Sequence, residues 1–178
     1  MFPDINTPRE ILTWDDIDKV IDHLLLQFNT DYDGLVMITR GGLFPGGILC
    51  EAMGLKNVHT AAVQFASSSP SSKMGWPTFL QFPIDTQVAG RKLLVIDDIW
   101  ADGITMVAVK SRLEAAGAKV ETAVLHYRPK SSNFPNNGPD YYGAITDRFI
   151  IYPWDTQSRL TGGPSFPSAA MGNPSHPG

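Results

Sequence analysis

The stretch KLLVIDDIWADGIT, residues 92–105, runs from an apolar segment through two adjacent carboxylates to a glycine and a threonine. KLLVID, 92–97, is the strongest strand signal in the chain, and Thr105 to Gly117 reads as a helix with Val107, Ala108, Leu113 and Ala116 inward. In open α/β sheets, ligands sit at the carboxyl ends of strands. The turn into the helix offers free backbone N–H groups and the positive end of the helix dipole, which suit a phosphate. Thr105 adds a hydroxyl donor. Asp97 and Asp98 can accept from sugar hydroxyls or hold a hydrated Mg²⁺ ion. The plainer alternative is that the two acids only cap a turn.

Working outward, LVMIT, 35–39, is apolar on both alternations, as a parallel strand covered on both faces must be. It ends in Arg40-Gly41-Gly42. Pro45 can then start a helix with Ile48, Leu49, Ala52 and Met53 buried and Gly54 as its stop. Upstream, Ile17, Val20, Ile21, Leu24, Leu25 and Phe28 give an amphipathic helix over 13–28, with Thr13 and Asp16 in capping-box positions. Residues 58–66 and 119–126 read as strands, and FIIYP, 149–153, as the last one. Segment 67–78, SSSPSSKMGWPT, has five serines and two prolines around Lys73 and Trp76, so it reads as a loop. Such alternation implies an α/β fold, a mostly parallel twisted sheet with flanking helices and right-handed crossovers. The organisation expected is a single domain over 1–160 and a flexible Gly/Pro/Ser-rich tail over 161–178.

Composition narrows the function. With 43% hydrophobic and 18% charged residues, the chain is globular. A formal net charge of −4 argues against nucleic acid as a partner. Cys50, the only cysteine, permits no intrachain disulfide and reads as a small buried hydrophobe. No apolar run approaches the ~20 residues of a membrane span, and no signal architecture opens the chain, so no membrane role and a cytoplasmic location are expected. No G-x-G-x-x-G or G-x-x-x-x-G-K-[ST] loop is present. Neither a zinc spacing nor a nucleophilic triad stands out.

The apolar strand, acid pair and Gly-x-Thr turn resemble the phosphoribosyl pyrophosphate motif of the type I phosphoribosyltransferases. Thr39-Arg40-Gly41-Gly42 resembles the pyrophosphate loop of the same family. Thr13-Trp14-Asp15, HYRP (126–129) and RFIIYPWD (148–155) are similar to segments of its purine members, the xanthine-guanine and hypoxanthine-guanine enzymes. The resemblance implies Mg²⁺-dependent transfer of phosphoribose from phosphoribosyl pyrophosphate to a 6-oxopurine. It also implies a small hood region near the C-terminus and a homo-oligomer. On that pattern Arg40 and Gly41 bind pyrophosphate. Asp97 and Asp98 hold ribose and metal, while Ala101, Asp102, Gly103, Ile104 and Thr105 take the 5-phosphate. Arg128 reads the purine 6-oxo group, Phe149 stacks on the ring, and the Ile150 backbone faces its 2-position. Lys73 helps a closing loop. Phe149 could equally be core, and Arg128 a solvated surface arginine.

Two positions depart from the family pattern. Where an aspartate usually handles the proton at purine N7, this chain has Ala101, and where Thr or Ser meets the 5-phosphate it has Asp102. A carboxylate facing a phosphate is repelled by roughly 1–4 kcal/mol. Asp102 therefore either points away or weakens the site, and by adjacency it is a candidate for the catalytic role lost at Ala101. A non-catalytic binding protein of the same fold, or an enzyme for another base, are the competing expectations.

Overall fold

The computed structural model describes residues 8–28, 30–65 and 75–155. Lys73 and the 161–178 tail lie outside them. The described chain forms two compact units, one of residues 14–147 and a small one made from the two ends, 8–13 and 148–155.

In the larger unit the elements follow in the order α1 (Trp14–Leu25), β2 (Gly34–Ile38), α2 (Leu43–Met53), β3 (Val58–Phe65), β4 (Pro77–Gln81), α3 (Asp85–Val88), β5 (Lys92–Trp100), α4 (Ile104–Ala115), β6 (Lys119–Tyr127) and β7 (Tyr141–Ile145). The strands make one six-stranded sheet in the order β4-β3-β2-β5-β6-β7. All its pairings are parallel except β3 with β4. The small unit pairs β1 (Arg9–Ile11) with β8 (Phe149–Ile151) in parallel. Its small size and C-terminal content match the expected hood region, but 149–151 joins β1, not the main sheet.

Burial follows from the sequence. Every residue of β2 is buried, as are Leu93 to Ile96 of β5, because helices cover both faces of the central strands. Ile17, Ile21 and Leu24 of α1 are buried at the expected helical spacing. Two expected faces need correction. α4 buries Met106, Val109 and Leu113 most deeply, with Val107 and Ala116 partly buried against the core and Ala108 half-buried, and α2 buries Pro45, Gly46 and Leu49 and leaves Ala52 exposed. Both helices carry apolar residues all round, so periodicity could not set their phase. β5 also runs three residues past the expected end, so Asp97 and Asp98 lie within the strand.

At the amino ends of β5 and β6 a polar cluster ties the sheet together. Tyr32 Oη donates to Glu121 Oε2, Tyr141 Oη donates to the same oxygen at 3.0 Å, and Lys92 Nζ lies 2.9 Å from Glu121 Oε1. Burial pushes the Glu121 carboxyl up, but hydrogen bonds from Tyr32, Lys92 and Tyr141 outweigh it and hold it below the usual range.

Candidate active site

The carboxyl ends of β2 and β5 lie side by side, with Met37 registered on Ile96. The chain leaving β2 must therefore pass the two acids that continue β5. It does so as Arg40-Gly41-Gly42. A Cβ added at Gly41 would stand 2.5 Å from Asp97 Oδ1 and closer still to Asp98 Oδ1. At Gly42 a Cβ would meet the Ile96 carbonyl and come within 2.8 Å of that of Ile38. Only glycine fits so close an approach. The structure thus brings the two sequence motifs into contact. Arg40, exposed at the rim, follows a cis peptide bond from Thr39.

Asp97 is the electrostatic centre of this contact. Desolvation raises its pKa well above the carboxylate range, and the charge of Asp98 adds to that. Hydrogen bonds from the Asp98 N–H, at 2.9 Å, and from the Gly42 backbone offset part of the rise. Such a pair, short of positive charge, suits a cation or a sugar diol. Among the described residues no cluster of three or more His, Cys, Asp or Glu side chains gathers for a metal. Two carboxylates nevertheless fit Mg²⁺, which commonly takes one or two protein carboxylates and completes its shell with water and substrate phosphate.

Beyond the acids the chain turns sharply into α4. Gly103 takes φ +80°, and a Cβ there would run into the Trp100 indole. Trp100 is 2% exposed, its Nε1 donates to Ser132 Oγ at 3.1 Å, and its ring meets Tyr127 and Phe134 edge-on. The Asn133 N–H donates to the Asp102 carbonyl at 3.0 Å. Trp100, Ser132 and Asn133 brace the turn, a role that nothing in their spacing announced. Val107 N–H makes the first helical bond, to Gly103 O, which leaves the earlier N–H groups of α4 facing outward. One is taken by Asp102, whose Oδ1 accepts from Ile104 N at 3.0 Å. Ala101 contributes no functional group. Thr105 is half-buried in the first turn of the helix.

β6 ends beside β5, with His126 registered on Ile99 and Tyr127 on Trp100. Arg128 follows, its N–H donating to Trp100 O at 2.9 Å. Its Nε is buried and has no hydrogen-bond partner among the described residues. A buried donor without an acceptor is costly, and such exceptions call for an explanation. His126 is buried, and burial alone pushes its imidazole down to about 4, so it is neutral at neutral pH. In the small unit Phe149 is half-buried and Ile150 buried, with Phe149 N–H donating to Pro8 O at 2.8 Å.

Comparison with known proteins identifies the family of the whole fold. The model of the phosphoribosyl transferase domain matches residues 9–158. The chain belongs to the phosphoribosyl transferase family. A xanthine-guanine phosphoribosyltransferase of Gluconobacter oxydans is 27% identical over 159 residues, covering 84% of this chain and 89% of that one. Among solved structures, a purine phosphoribosyltransferase from Pyrococcus horikoshii superposes with a TM-score of 0.70 at 26% identity, over 83% of this chain and 93% of that one. A protein from Neisseria gonorrhoeae with bound ppGpp gives a TM-score of 0.70 at 25% identity, over 84% and 90%. This phosphoribosyltransferase therefore has the type I fold expected from its motifs. No helix among the described residues is long and apolar enough to cross a membrane.

Proposed function

We propose that this phosphoribosyltransferase moves phosphoribose from phosphoribosyl pyrophosphate to N9 of a 6-oxopurine, with Mg²⁺ as cofactor. The observation that carries the reading is the contact of Gly41 with the Asp97–Asp98 pair, the closeness that a pyrophosphate loop beside a ribose and metal site needs. In the reaction the C1–oxygen bond to pyrophosphate breaks, the pyrophosphate keeps the electron pair, and the purine N9 lone pair forms the new C1–N bond. Asp97 and Asp98 hold the ribose hydroxyls and the metal. Mg²⁺, when bound, neutralises charge on the departing pyrophosphate. Arg40 and the backbone of Gly41 orient that group. The 101–105 turn holds the 5-phosphate. Asp102, beside Ala101, accepts the proton that the purine loses.

For the base, the Nε of Arg128, unpartnered among the described residues, is the supporting feature. A guanidinium donor suits the acceptor pair O6 and N7 of a 6-oxopurine, whereas adenine presents an amino donor at that edge. Phe149 stacking on the ring and Ile150 facing the 2-position complete the assignment by the family pattern. Relatives named as xanthine-guanine and purine enzymes support the same substrate class. Lys73 is assigned to transition-state closure by the same pattern.

The test is incubation with labelled phosphoribosyl pyrophosphate, Mg²⁺ and a panel of bases. Pyrophosphate release with guanine, xanthine or hypoxanthine, and not with adenine or uracil, is the expected result. A second reading, a nucleotide-binding regulator, draws on the relative solved with ppGpp and on Ala101. Tight binding of a guanosine polyphosphate without release from any base would favour it.

A further inference from the structure

We infer that Asp102 is an internal tenant of the 5-phosphate seat, and that a phosphate enters only by displacing it. This rests on the proposed reading of the 101–105 turn as the phosphate site. Asp102 Oδ1 holds the Ile104 N–H at 3.0 Å, one of the outward donors before the first helical bond of α4. Two anions cannot share one N–H donor, so an arriving phosphate and this carboxylate compete for it.

The surroundings determine how the competition is resolved. The backbone of the turn is held at three points: the Asp102 carbonyl by Asn133 N–H, Gly103 by the face of Trp100, and Trp100 by Ser132 Oγ. The Asp102 side chain, by contrast, is exposed. It can rotate into solvent without moving the turn. The seat stays shaped for an anion whether its own carboxylate or a ligand occupies it, and only the side-chain torsions change. Displacement also frees the carboxylate for the proton role proposed above, so phosphate binding would release the acceptor.

The experiment is calorimetric titration of the full chain with ribose 5-phosphate, using ribose as the phosphate-free control. Wild type, Asp102→Asn and Asp102→Thr are compared, with melting curves confirming that all three fold. Asn keeps the shape and the acceptor but not the charge, and Thr offers a donor. Both variants are expected to bind ribose 5-phosphate at least about tenfold tighter than wild type, with ribose binding unchanged. Equal or weaker binding in both variants, beside measurable binding by wild type, overturns the tenant role and leaves the phosphate site standing. Absence of binding by all three forms overturns the site and the tenant together. A gain for Thr but none for Asn would also sink the charge competition, since a new donor would then explain the result.

Discussion

Gly41 lies so close to Asp97 that a methyl group at position 41 would stand 2.5 Å from the carboxylate oxygen. Gly41 is thus demanded by the protein's own acids, and Gly42 by the Ile96 and Ile38 carbonyls, before any ligand arrives. Gly41→Ala should push the loop off the acid pair, lowering stability by about 1–3 kcal/mol, the usual cost of overpacking. Phosphoribosyl pyrophosphate binding should be lost by calorimetry. A variant that melts like wild type and still binds would show that the loop can shift at no cost.

Asp97 gives a prediction of opposite sign for stability and activity. Its folded pKa is raised above the ordinary 3.8, so the folded chain holds a proton that the unfolded chain has released. The stability this gives is present at low pH and lost as pH rises through the raised folded value. Asp97→Asn removes that loss, so at neutral pH the variant should melt higher than wild type. Turnover should fall by at least about a hundredfold, as for other groups that stabilise developing charge. Melting curves at pH 4 and pH 8 check the first half and a pyrophosphate-release assay the second. A variant less stable at pH 8 would contradict the account.

For Arg128 the buried Nε, unpartnered among the described residues, separates a binding role from a structural one. Arg128→Met keeps the stem and removes every donor. We expect no loss of melting temperature, since an orphan donor has been deleted. The KM for the purine should rise about tenfold or more, with phosphoribosyl pyrophosphate binding unchanged, as removal of a charged hydrogen-bond partner suggests. A melting temperature that falls while KM stays put would assign the residue to the scaffold.

His126 should make the fold acid-sensitive. Its imidazole drops from the ordinary 6.5 to about 4 on burial, so between those values the unfolded chain takes up a proton that the folded chain refuses. Stability is full above pH 6.5 and declines as pH falls to about 4, by roughly 3 kcal/mol at about 1.4 kcal/mol per pH unit. Denaturant melts across this window measure the slope, and His126→Gln should flatten it. An unchanged slope in the variant would place the sensitivity elsewhere.

The central strands were readable because burial on both faces leaves an uninterrupted apolar run. LVMIT and KLLVID are such runs, and the acid pair ending the second marked the site. The edges were not readable. β1 is three residues long and pairs with β8, far away in the chain, and β4 opens with Pro77 and is mostly exposed, so neither carries a strong local pattern. The bracing of Gly103 by Trp100 was equally hidden. Nothing local in the sequence assigns Trp100 a role, and only the fold brings Ser132 and Asn133 beneath the turn. Asp102 stands out in the sequence as a departure from the family pattern, but only the structure shows its partner, Ile104 N–H.

The ionic cluster around Glu121 and the acid pair meet β5 towards its opposite ends. Lys92 and Asp98 are six residues apart on β5, about 20 Å at ~3.3 Å per residue. Groups so far apart, with no shared partner, contribute almost additively. The sheet thus works as a rod clamped at one end and loaded at the other. A chain weakened by changing its chemistry at the carboxyl end can be restored by tightening the clamp, and substrate range and robustness can be altered one at a time.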